Sequence, residues 1–94
     1  MPRAMARVDW TGQALHEIDL IVSCIEQFDP AAAARMSARL LALGDSLASF
    51  PNRGGPAEDG LRELTIVPPY ILLYETDGEV VSIFSIRHGA RRPD

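Results

Sequence analysis

The sequence predicts an α+β domain of two layers in the order β-α-α-β-β-β, a helical hairpin packed on a small antiparallel sheet. Three observations carry that prediction. Two apolar stripes at helical spacing fill the first half of the chain, and Asp29-Pro30 separates them. The stretch from Leu61 to His88 holds both tyrosines and most of the β-branched residues. Within it, Asp77-Gly78 stands between two apolar runs, the pattern of a hairpin.

The first strand is short, Ala6 to Trp10, with Val8 and Trp10 alternating at a sheet edge. Thr11 then caps a helix, because its hydroxyl can accept from an orphan N–H of the first turn. Ala14, Leu15, Ile18, Ile21, Val22, Ile25 and Phe28 recur every three or four residues and form one stripe. Pro30 ends that helix and opens the next, with Asp29 as its cap. In the second helix Ala33, Met36, Leu40, Leu43, Leu47 and Phe50 step along one face, Gly44 is a weak point, and Pro51 closes it. A loop rich in glycine and proline, 51–60, leads to the sheet.

The last three strands read as an antiparallel meander. Pro68-Pro69 break its first strand from its second, since proline donates no ladder hydrogen bond. A type I′ turn at Asp77-Gly78 would set Tyr74 opposite Val81, Leu72 opposite Ile83, Tyr70 opposite Ser85 and Ile71 opposite Phe84. Both faces then carry large apolar side chains, while two helices cover one. Soluble monomers seldom leave such a patch in water, so either the tail folds back over the surplus face or a partner covers it, and the partner is the favoured reading.

At 94 residues the chain is one domain, 1–94, able to bury roughly 60–65% of its unfolded surface. No apolar run reaches the roughly 20 residues of a membrane span, and Met1 to Arg7 lacks the apolar stretch of a signal peptide. With Cys24 as its single cysteine, the chain is expected in a reducing cytoplasm. A net charge of −4 argues against general nucleic-acid binding. All nine basic residues are arginine, and four of the last eight residues are Arg or His.

Arg62 and Glu63 open the meander and Arg87 and His88 close it. If the strand ends meet, two arginines, a carboxylate and an imidazole could cleave RNA by acid–base chemistry; otherwise they are solvated strand ends. Arg35 and Arg39, spaced i and i+4, are either a solvated helix face or a partner-binding stripe. His16 has no second ligand at metal spacing, so neither a metal nor a cofactor is expected. Cys24 reads as a packing residue, because a nucleophile needs an oriented base.

Trp10, the acidic first helix, Asp29-Pro30 with its alanine run and Arg35 come first. Pro51-Asn52-Arg53-Gly54, Gly60-Leu61-Arg62-Glu63-Leu64, Pro69-Tyr70-Ile71-Leu72-Leu73-Tyr74 and Ile86-Arg87-His88-Gly89-Ala90-Arg91 follow in order. This series resembles the RelE/ParE superfamily of bacterial toxins from residue 8 to 93. The resemblance implies a toxin that arrests growth and a hetero-oligomer with a cognate antitoxin that wraps it. RelE-like members cut messenger RNA on the ribosome, whereas ParE-like members inhibit DNA gyrase; a non-catalytic protein-binding module is the remaining reading.

The acidic balance, the absence of lysine and the His88-Gly89-Ala90-Arg91 ending look ParE-like. Arg62, Glu63, Arg87 and His88 are the catalytic candidates if the chain is RelE-like. Arg87, His88, Arg91 and Arg92 are expected to face the target, and Arg35, Arg39, Tyr70 and Tyr74 the antitoxin. Should the tail instead cover the sheet, the contact surface falls to Arg35, Arg39 and the loop around Arg53.

Overall fold

The computed structural model describes residues 5–65 and 70–88. Pro68-Pro69, read above as a strand break, and the tail with Arg91 and Arg92 lie outside them. The elements are β1 (Arg7–Trp10), α1 (Gly12–Glu26), α2 (Pro30–Asp45), β2 (Gly55–Pro56), β3 (Arg62–Thr65), β4 (Tyr70–Thr76) and β5 (Val80–His88). Two helices on one sheet make the α+β architecture the sequence implied.

Local chemistry explains the helix starts. The Thr11 hydroxyl accepts from Ala14 N at 3.1 Å and donates to the Ile83 carbonyl at 2.8 Å, so one cap also ties α1 to β5. Asp29 accepts from Ala32 N at 3.1 Å, with Pro30 in the first turn of α2.

The sheet order is β1-β5-β4-β3-β2. β1 lies at an edge as expected, but it pairs parallel to β5, so the sheet is mixed rather than antiparallel. Parallel neighbours cannot be joined by a tight turn, and here the helical hairpin and strands β2, β3 and β4 all lie between β1 and β5 along the chain. The predicted loop also contributes β2, two residues paired with β3.

The hairpin register differs from the expectation. Tyr74 pairs with Ile83, Leu72 with Ile86, Ile71 with Arg87 and Tyr70 with His88, with a shift between Leu73 and Tyr74 that leaves Phe84 unpaired. Two causes act together. The Asp77 carboxylate accepts from Glu79 N at 2.8 Å and Val80 N at 2.9 Å, while the Thr76 hydroxyl donates to the Val80 carbonyl at 2.8 Å. These bonds build a different turn, in which Gly78 takes φ 95° and Asp77 does not adopt the positive φ of a type I′ turn. The bulge then displaces the far half once more.

The core joins Ala14 and Ile18 of α1, Leu40 of α2 and Leu47 to Leu72, Tyr74, Val81, Ile83 and Ile86 of the sheet. α1 rests on β5 and α2 packs on α1. α2 gives way after Asp45 to a 3-10 turn over Ser46–Ala48, so its apolar stripe ends at Leu47. Phe50, predicted to face the sheet, is 62% exposed, and Leu15 and Phe28 of the α1 stripe are exposed as well. Gly44 is a seat rather than a weak point: a methyl there would overlap the Trp10 ring. The indole N–H donates to Asp45 at 3.2 Å.

The predicted two-sided apolar meander shrinks in the structure. On the face away from the core, the pleat alternates Ile71 and Leu73 with Glu63, Thr65, Ser85 and Arg87 through the strand pairings. Leu73 is buried there and Ile71 half-buried, so among the described residues the large exposed apolar side chains lie elsewhere, at Met5, Leu15, Leu20, Phe28, Leu41 and Phe50.

Candidate functional site

The sequence offered one cluster, Arg62, Glu63, Arg87 and His88. The structure disperses it. Three antiparallel strands place the start of the first and the end of the third at diagonal corners. Arg62 lies opposite Tyr74 on β4, whereas Arg87 lies opposite Ile71. Three residues along the strand and two strands across put their backbones about 14 Å apart. Glu63 follows Arg62 by one position and so faces the other side of the sheet. Arg87 and His88 share a corner with Tyr70, whose ring meets the His88 ring edge-to-face at 5.5 Å.

Arg62 has a structural partner instead. Its Nη1 donates to the Gly54 carbonyl at 2.6 Å. Tyr74, expected at an antitoxin contact, has no exposed surface. Its hydroxyl donates to the Pro51 carbonyl at 2.8 Å and accepts from Gly54 N at 2.9 Å. A buried hydroxyl without partners would be costly, and this one is satisfied twice. Tyr74 is therefore a core anchor for the loop before β2, and its assignment to a contact surface is corrected by its burial. Sequence position alone did not separate it from Tyr70, which is half-buried at the other end of the same strand.

The arginine pair on α2 behaves differently. Arg35 and Arg39 are exposed and have no ion-pair partner among the described residues. With Ala32 and Met36 they line a shallow open cleft of about 190 Å³. Two guanidinium groups one helical turn apart flank an apolar floor, which suits a helix carrying a carboxylate beside a small apolar side chain. Met36 was not legible as a cleft residue, because its place on the α2 stripe reads as core. Half-burial gives it both neighbours.

Asp77 stabilises the β4–β5 turn. The backbone N–H groups of Val80 and Glu79 lower its carboxyl pKa below the ordinary value. This charge serves the turn and lies apart from the cleft.

The fold and its surfaces thus define a small two-layer α+β domain with exposed Arg35 and Arg39 on an open helix face and exposed Arg87 and His88 at a sheet corner. The family described as "ParE toxin of type II toxin-antitoxin system, parDE" matches residues 8–93. Toxin RelE2 of Caulobacter vibrioides is 48% identical over 87 residues, covering 93% of this chain and 99% of that protein. This chain belongs to the ParE toxin family, within the RelE/ParE superfamily of type II toxin–antitoxin toxins. Several solved structures share its fold, among them two toxin–antitoxin systems. One, a chromosomal ParDE toxin–antitoxin system from P. aeruginosa, superposes with a TM-score of 0.80 at 24% identity over 89% of this chain and 96% of that one. The other, the RelBE2 toxin–antitoxin complex from Mycobacterium tuberculosis, gives a TM-score of 0.65 at 22% identity over 89% and 98%.

Proposed function

We propose that this toxin arrests growth by binding a protein target, DNA gyrase, in the ParE-like manner, and that it works in the cytoplasm under the control of a cognate antitoxin. One observation carries the choice against RNA cleavage. The four residues a nuclease would use, Arg62, Glu63, Arg87 and His88, sit at different corners and faces of the sheet, and Arg62 is tied to the Gly54 carbonyl. Acid–base cleavage needs its acid, base and phosphate ligand within hydrogen-bond reach of one bond. A binding function has no such requirement.

The antitoxin's place is the α2 cleft, with Arg35 and Arg39 gripping carboxylates and Ala32 and Met36 receiving an apolar side chain. Tyr70, half-buried beside His88 at the sheet corner, is read as a second antitoxin contact apart from the cleft. Arg87 and His88, with Arg91 and Arg92 following in sequence, form the side that meets the target.

The name of the Caulobacter relative, RelE2, favours a second reading, ribosome-dependent cleavage of messenger RNA. Purified protein settles the choice in two assays run side by side. Inhibition of gyrase supercoiling without cleavage of translated mRNA is the expected result. Cleavage with gyrase unaffected would falsify the gyrase reading.

A further inference from the structure

Beyond Ile83, β5 has a strand on one side only among the described residues. β1 pairs with Val80 to Ile83 and ends at Trp10, while β4 follows β5 as far as His88. Before the bulge, Glu79 and Ile83 turn their carbonyls towards β1 and accept from Arg7 N at 2.8 Å and Thr11 N at 3.1 Å. The bulge moves that alternation on by one residue, so Ile86 directs its N–H to the open side. Ile86 is buried, and an N–H left without a partner there would be costly.

Side chains of α1 and its cap take the place of the missing strand. The Thr11 hydroxyl lies 2.8 Å from the Ile83 carbonyl and 3.3 Å from that of Phe84. Glu17 then accepts from Ile86 N at 3.0 Å, across 69 positions of sequence. A helix glutamate is ordinarily hydrated, yet Glu17 is half-buried and committed to one N–H of a distant strand. Its bond is charge-assisted, roughly twice as strong as one between neutral groups. Directly after Ile86 come Arg87 and His88, both exposed, with the His88 ring edge-on to Tyr70 at 5.5 Å. A strand end bonded on one side frays more readily than one bonded on both.

We infer that Glu17 is a positioning residue, acting through the Ile86 N–H to hold Arg87 and His88 in the pose that meets the target. The inference rests on the reading of that corner as the target surface. A corner ordered in advance loses less entropy on docking, so removing this bond weakens target binding while both contact side chains remain.

The test sets four variants of the full chain beside the wild type: Glu17→Ala, Glu17→Gln, Arg87→Ala with His88→Ala, and Asp29→Ala. The last costs a helix cap and no contact to β5, so it controls for stability alone. The readouts are growth arrest on induction, Tm, amide exchange at Ile86 and the NMR lines of the His88 ring, which the Tyr70 ring displaces. Glu17→Ala should speed Ile86 exchange about 10-fold and raise colony survival about 10-fold, as for loss of one charge-assisted bond. It should also move the His88 lines towards those of a free imidazole. Glu17→Gln, whose amide oxygen still accepts, should restore all three, and Asp29→Ala should change none of them at a comparable loss of Tm. Unmoved His88 lines and unchanged Ile86 exchange in Glu17→Ala overturn the inference at its geometry. An equal loss of arrest in Asp29→Ala overturns it as well, since stability then accounts for the effect. If Arg87→Ala with His88→Ala still arrests growth, the corner is not the target surface and the underlying reading fails. If that variant loses arrest while Glu17→Ala keeps it, only the positioning role fails. Should Glu17→Ala not fold, Glu17→Met keeps the stem without the acceptor, and unfolding of both makes Glu17 structural and overturns the proposal.

Discussion

The two ends of β4 use the same residue types for opposite purposes. At one end Tyr74 is fully buried and Arg62 turns inward, and both are spent on backbone atoms of one loop. At the other end Tyr70 is half-buried beside an exposed His88, and on the helix layer Arg35 and Arg39 are exposed and unpaired among the described residues. An arginine or tyrosine in a strand is thus neither a site nor a scaffold by its identity. Which it becomes depends on whether a backbone carbonyl or N–H lies within reach when the sheet forms. At the Tyr74 end such groups are present, because the loop before β2 folds back over β3 and β4.

Tyr74→Ala breaks the comparison most severely. It should cost about 3–5 kcal/mol, as for other large buried aromatics, with the stranded Gly54 N–H adding to the loss. Tyr70→Ala should cost clearly less, because its ring is only half-buried. Urea denaturation of both variants checks the ordering, and equal losses would mean the two ends are alike.

The arginine pair sharpens the other side. Arg35→Ala with Arg39→Ala should weaken antitoxin binding by about 2–4 kcal/mol while stability stays within about 0.5 kcal/mol. Calorimetric titration and a thermal melt separate the two effects. A melt that drops with unchanged affinity would make these arginines structural.

Gly54→Ala is a smaller perturbation of the anchored end. Its methyl meets a backbone carbonyl that has little room to yield, so a loss of about 1–3 kcal/mol is expected. Gly55, one residue on, has open space at the same position, and Gly55→Ala should be far milder.

The smallest effect concerns the β4–β5 turn, which lies apart from both regions. The folded state lowers the Asp77 pKa through the Val80 and Glu79 N–H groups. A depressed carboxyl pKa stabilises the fold above the unfolded value and loses that contribution as pH falls through the folded one. Stability should therefore decline slightly as pH drops below 3.8, and Asp77→Ala should remove that part of the decline. Melts of both proteins across the acid range, showing identical slopes, would count against the turn's role.

The free solubility of the toxin can also be predicted anew. The far sheet face is less apolar than its strand pattern implied, so among the described residues Phe28, Met5, Phe50, Leu20 and Leu15 are the most exposed large apolar side chains. Phe50→Ala, expected from the helix pattern to cost a core contact, should instead leave Tm nearly unchanged. It should raise solubility in the absence of the antitoxin.

The sequence by itself determined whatever rests on neighbours along the chain. Thr11 and Asp29 cap their helices because the N–H they satisfy lies three residues on. Spacing placed Ala14, Ile18, Leu40 and Leu47 in the core, since helical period needs no knowledge of the sheet. The order of the strands followed from β-branched runs between turns, and the family from the same ordered fragments. Only the tertiary structure decided what depends on residues far apart. The Asp77 side chain and the bulge at Phe84 set a register that two turn residues did not reveal. The parallel pairing of β1 with β5 joins residues about seventy positions apart, beyond the reach of any local pattern. The meander carried Arg62 away from Arg87, because an odd number of antiparallel strands ends at the opposite edge from where it began. Tyr74 became scaffold and Arg35 surface for the same reason: burial and hydrogen-bond reach are set by the assembled layers, and no local pattern records them.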